Sequence, residues 1–158
     1  MSEGQGTLLE QALAQSAGAV PAAPEFMVPP SGRYILDIRS ASFKQIDWQD
    51  KQTKEDKSAI KAEMVYSVVE TLELADPNAL AVPEGSLFME GVSLEFNGES
   101  PLKTYATKFF GDQVENLTWG EIIAALGAGD VRFSCTVRTR EKGGFENSRT
   151  SQQEPVVG

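Results

Sequence analysis

The residues best suited to chemistry lie between 131 and 150, in the segment VRFSCTVRTREKGGFENSRT. Arg132, Ser134, Thr136, Arg138 and Arg140 alternate with Val131, Phe133, Cys135 and Val137, the period-two pattern of a strand with one buried and one wet face. Lys142-Gly143-Gly144 breaks the run, and a second strand-like piece carries Phe145, Asn147 and Arg149. Guanidinium planes, hydroxyls, an amide and an aromatic ring are what a single-stranded polyanion requires. Cations meet phosphates and flat groups stack on bases, with no demand for a particular sequence. A second collection of the same kind occupies residues 44–61, with Lys44, Trp48, Lys51, Lys54, Lys57 and Lys61. Asp47, Asp50, Glu55 and Asp56 are interspersed among these lysines. For any one of these residues a plain structural role suffices, because edge strands carry basic side chains to prevent edge-to-edge pairing. The two clusters taken together favour a binding surface.

Charge is sorted along the chain. The formal net charge is −9, yet residues 62–101 contain eight acidic groups and no lysine or arginine, so the bases concentrate on either side. A net negative protein repels a polyanion at long range, but beyond about 8–10 Å salt screens the repulsion and a local basic stripe survives.

Catalysis finds little material. The chain has no histidine, which removes the commonest general base and metal ligand, and its one cysteine rules out a zinc site of the usual ligand types. Cys135 stands in an apolar row and reads as a small core residue. Glycine-rich phosphate loops, nucleophile elbows and histidine-based triads are missing. Acidic pairs such as Glu70/Glu73 and Asp47/Asp50 are ordinary in so acidic a chain. The expectation is a non-enzymatic protein with no cofactor and no metal. No apolar run approaches the ~20 residues of a membrane span, and no leader pattern opens the chain, so the protein reads as intracellular and independent of membranes.

The elements that must position these residues follow from pattern. Residues 1–31, rich in Ala, Gly, Gln and Pro, read as a flexible arm with a short amphipathic turn at Leu8, Leu9, Ala12 and Leu13, and as a possible docking segment for a protein partner. Residues 32–158 read as one domain. Tyr34, Leu36 and Ile38 mark a first strand; residues 44–60 read as a polar connection; Ala62, Met64, Tyr66 and Val68 mark a second strand. Residues 86–96 form a third, with Gly91 suited to a bulge. The one convincing helix starts at Thr118, capped by Glu121 three residues on, and stops at Gly127 or Gly129. The hairpin at 131–150 supplies strands four and five. Three strands, one short helix and two strands predict a mainly β fold, a five-stranded antiparallel OB-like barrel. An open antiparallel α+β sheet would give the same string.

This outline resembles small phage-type OB-fold single-stranded DNA-binding proteins. The likeness is carried by PPSGRYILDIRSASFK, by EMVYSVVETLEL, by a helix ending at Leu126-Gly127, and by the hairpin VRFSCTVRTREKGGFEN. It implies coating of single-stranded DNA (or RNA) in phage replication or recombination, as a homo-oligomer. The candidate binding residues are then Arg132, Arg138, Arg140, Lys142, Phe145 and Arg149 on the hairpin, with Lys44, Trp48, Lys51 and Lys54 on the other segment. The competing expectation is a structural or assembly protein, such as a virion component or scaffold, whose N-terminal arm straps neighbouring subunits.

Overall fold

A computed structural model describes residues 8, 10, 11, 13, 14, 26–142 and 145–156, and at Lys142 and Phe145 the backbone alone. Five strands form one antiparallel sheet: β1 (Gly32–Gln49), β2 (Asp56–Leu74), β3 (Leu87–Ser93), β4 (Arg132–Lys142) and β5 (Phe145–Pro155). Their order across the sheet is β3-β2-β1-β4-β5. Alternation decides which face is covered. Tyr34, Leu36 and Ile38 of β1, Ala62, Met64, Tyr66 and Val68 of β2, and Phe133, Cys135 and Val137 of β4 are all buried. Each large apolar side chain removed from water contributes about 1.5–3 kcal/mol, so these rows fix the register of β1, β2 and β4.

Two helices cover the sheet where one was expected. The first, α1 (Pro101–Phe110), lies where the sequence suggested a continuing strand or an irregular crossing. Thr104, Tyr105, Thr107 and Phe109 favour strands individually, but Ser100 accepts from Lys103 N at 3.0 Å and Pro101 opens the first turn. Leu102, Tyr105 and Ala106 then fall on one buried stripe. A 3-10 turn, Gly111–Asn116, leads to α2 (Trp119–Leu126). There the predicted capping box between Thr118 and Glu121 is present, with both bonds at 3.1 Å.

The residues expected to form a loop, 44–60, are mostly strand. Lys44–Gln49 and Asp56–Ile60 continue the β1–β2 ladder, down to the pair Gln49↔Asp56. They form a two-stranded ribbon projecting beyond the core. Water reaches both of its faces, so apolar alternation is confined to Ile46 and Trp48, too short a run to mark a strand, which is why pattern alone misread it. Only the tip turns, around Asp50, whose carboxylate accepts from Gln52 N at 2.8 Å and Thr53 N at 3.0 Å. These backbone bonds hold the Asp50 carboxyl below the usual carboxylate range. The bulge anticipated at Gly91 is also absent: the β2–β3 ladder runs unbroken through Glu63↔Gly91, and the irregularities fall elsewhere, in the β1–β2 ladder between Arg33 and Tyr34, Ile35 and Leu36, and Ile38 and Ser40, and in the β4–β5 ladder between Ser134 and Thr136.

Among the described residues no ladder joins the outer strands β3 and β5, so backbone hydrogen bonds do not close the sheet into a barrel. The open antiparallel sheet is the form found. Residues 26–31, the end of the expected arm, run along the domain: Met27 N donates to Leu87 O at 2.8 Å, and Thr139 donates through Oγ1 to Pro29 O and through N to Ser31 Oγ.

Two close approaches depend on missing side chains. A Cβ on Gly32 would stand 2.2 Å from Glu73 O, and one on Gly127 would stand 3.1 Å from Ala41 N, where α2 meets β1. Gly32→Ala must therefore push β1 and β2 apart, and we expect a loss of about 1–3 kcal/mol in urea unfolding, the usual cost of overpacking. An unchanged unfolding midpoint would show that the two strands separate freely there.

Candidate nucleic-acid interface

At the seam between β3 and β5 stands a buried carboxylate. Glu90 of β3 is 6 % exposed. Its Oε1 accepts from Tyr66 Oη and from Thr150 Oγ1, each at 2.6 Å, and its Oε2 accepts from Thr150 N at 2.8 Å. Tyr66 has a single hydroxyl proton and gives it to Glu90, so in its 2.7 Å contact with Tyr105 the proton comes from Tyr105. A directed chain results, Tyr105 to Tyr66 to Glu90, and Thr150 of β5 donates to the same carboxylate. Burial pushes the Glu90 carboxyl above its usual range, while the three donors and the field of Arg149 oppose that rise. Both phenols are likewise pushed above the ordinary tyrosine value by burial.

Over this seam lies a groove of about 820 Å³. The ribbon contributes Ile46 and Trp48 from β1 with Ala59 and Lys61 from β2, residues that share one face because Ile46 pairs with Ala59. The segment after β3 adds Phe96, α1 adds Tyr105 and Lys108, and β5 adds Arg149. Trp48 and Phe96 are 46 % and 64 % exposed, so both rings are open to a partner. A neighbouring depression on the outer face of the β4–β5 hairpin is lined by Arg138, Arg140, Asn147 and Arg149. It shares Arg149, Thr150 and Ser151 with the groove, making one continuous track from ribbon to hairpin. Ladder pairs Arg138↔Arg149 and Arg140↔Asn147 place these side chains opposite one another.

The ion pairs separate structural cations from the rest. Lys57 pairs with Asp50 at 3.4 Å, Lys103 with Glu115 at 2.8 Å, and Arg132 with Asp37 through two bonds of 2.7 and 3.1 Å. Among the described residues Lys61, Lys108, Arg138, Arg140 and Arg149 form no such pair. Arg132, a sequence candidate, is thus a strand-to-strand clamp between β4 and β1 and is absent from the lining of the track.

Of the remaining candidates, Trp48, Arg138, Arg140 and Arg149 lie on the track. Lys44 pairs with Lys61 in the ladder and so shares the groove-facing side of the ribbon. Lys51 and Lys54 sit at the ribbon tip, exposed, with Lys54 in a left-handed conformation at φ 58°. The side chains of Lys142 and Phe145 lie outside the described residues. Lys108 and Tyr105 were not selected from sequence, since their place on the groove depends on α1, whose Ser100-Pro101 start was the available signal; Phe96, expected at the end of the third strand, was not selected either. Glu90 was missed because nothing in its local sequence distinguishes it from the other acids of residues 62–101. Cys135 is core as anticipated, and burial pushes its thiol up to about 12, far from a reactive thiolate.

Tyr66→Phe should remove one donor to Glu90 and the acceptor of Tyr105 while keeping the ring packing. We expect a loss of about 1–3 kcal/mol in chemical unfolding, the cost of leaving buried polar groups unpaired; a neutral outcome would mean that water replaces the hydroxyl. Compared with known protein families, curated proteins and solved structures, the chain matches none.

Proposed function

We propose that this protein binds single-stranded DNA without catalysis, coating exposed strands during replication or recombination as an oligomer. The observation that carries this reading is a line of cations beside open aromatic rings. Lys61, Lys108, Arg138, Arg140 and Arg149 lie along the track without an ion-pair partner among the described residues, beside the exposed rings of Trp48 and Phe96. Unpaired cations arranged in a line suit a phosphate backbone, and open aromatic faces suit bases that are not already stacked in a duplex. The strand order β3-β2-β1-β4-β5, with β3 and β5 facing each other across the Glu90 contacts, supports an OB-like reading of the sheet. In that fold the β1–β2 and β4–β5 connections flank the binding face, which matches the ribbon and the hairpin here.

The deciding experiment is a titration of fluorescent oligo-dT by anisotropy at several salt concentrations. Affinity should fall steeply with salt, by about 0.7 in the log–log slope for each phosphate contact. Arg138→Ala combined with Arg140→Ala should weaken binding by about tenfold or more and flatten that slope, with the melting temperature unchanged. Trp48 emission should be quenched on binding. No binding at low salt, or equal affinity for a duplex of the same length, would overturn the proposal.

A further inference from the structure

The groove proposed as the strand-binding site has a carboxylate in its floor. Glu90 lines it together with Tyr105, Arg149 and Thr150, although it is nearly inaccessible to water. The groups that face it come from four elements: Tyr66 from β2, Tyr105 from α1, Cys135 from β4, and Thr150 with Arg149 from β5. Burial keeps the two phenols and the thiol neutral through the physiological range. Within this cluster only Glu90 changes charge on mild acidification. Glu95, the groove's other carboxylate, is exposed and stands outside the cluster.

We propose that Glu90 makes strand binding proton-linked: an anionic strand in the groove is held more tightly when Glu90 carries a proton, and binding draws a proton onto it. The inference rests on the groove being the strand-binding surface. A phosphate engaging Arg149 occupies the cation whose field helps to keep Glu90 ionised, and it adds negative charge close to the carboxylate. Covering the groove also removes water from its floor. All three effects favour the neutral acid.

The direction of the pH effect follows. In the free protein the Glu90 carboxyl already titrates above its ordinary range, and a bound strand moves it higher still. Affinity therefore rises as pH falls through the interval between the free and bound values, by at most about tenfold per pH unit for one proton. The same upward displacement relative to the unfolded chain acts on stability. Its contribution is fully present below the ordinary carboxylate value and is lost as pH rises through the folded one.

The Glu90 carboxyl ¹³C shift, titrated in the wild-type protein with and without oligo-dT, tests the proposal without any substitution. Its midpoint should move upward when the strand is bound; an unmoved midpoint overturns the inference. In parallel, affinity would be measured between pH 4.5 and 8 for wild type, Glu90→Gln and Glu95→Gln. The wild type and Glu95→Gln should share a component that rises toward acid pH by up to about tenfold per unit, and Glu90→Gln should lack it. Equal slopes in all three also overturn the inference. Oligonucleotide binding with an unmoved Glu90 removes this inference alone, whereas absence of binding at every pH removes the strand-binding reading and the inference with it.

Discussion

The bonds that cross from β3 to β5 run through the side chain of Glu90, which accepts both the backbone N–H and the hydroxyl of Thr150. A buried carboxylate is costly to desolvate and persists only where donors surround it. Here the donors come from three elements, β2, β5 and, through Tyr66, α1. Tyr66 also stands at the centre of the aromatic core, 5.2 Å from the Phe88 ring and 5.6 Å edge-on from Phe133. Phe133 in turn meets Phe109 of α1 at 5.1 Å. The carboxylate, the phenols and the rings therefore form one assembly, and the seating of α1, the approach of β5 and the shape of the groove all depend on it.

That dependence links the core to the surface. Thr150 is held by Glu90, and the adjacent residue in an alternating strand points the opposite way, so fixing Thr150 inward presents Arg149 outward on the track. Tyr105 is tied into the same chain from α1, three residues before Lys108, so the helix that completes the core also carries a cation to the groove. An acidic protein can in this way maintain a basic path. The acids of residues 62–101 fall on the second strand, the third strand and the loops around them, while the bases that line the track come from the ribbon, α1 and the hairpin.

Much of the fold was legible because alternation and capping are local. The apolar rows of β1, β2 and β4 and the Thr118–Glu121 start of α2 read directly from residue types. Two features did not. In the ribbon, both faces meet solvent, so beyond Ile46 and Trp48 the strands show no hydrophobic period, and backbone pairing with each other holds them instead. In α1, residues with strand preference are overridden by a serine cap, a proline start and burial of Leu102, Tyr105 and Ala106. For the candidate site, the arginines of the hairpin and Trp48 were visible as types in a pattern. Arg132 looked equivalent to Arg138 and Arg140, and only its bidentate bond to Asp37, 95 positions away, separates it from them.

The sequence by itself determined the class of protein: a β-rich chain without histidine, with apolar residues in period-two rows and most of its bases in two separate segments. Those are consequences of composition and short-range order, which act within a few residues. Tertiary structure alone decided which bases are neutralised, which acid is buried, and that the ribbon, α1 and the hairpin meet around one groove. The physical reason is that ion pairing and desolvation depend on distance in space, and decisive partners such as Asp37 with Arg132 and Glu90 with Thr150 lie far apart along the chain.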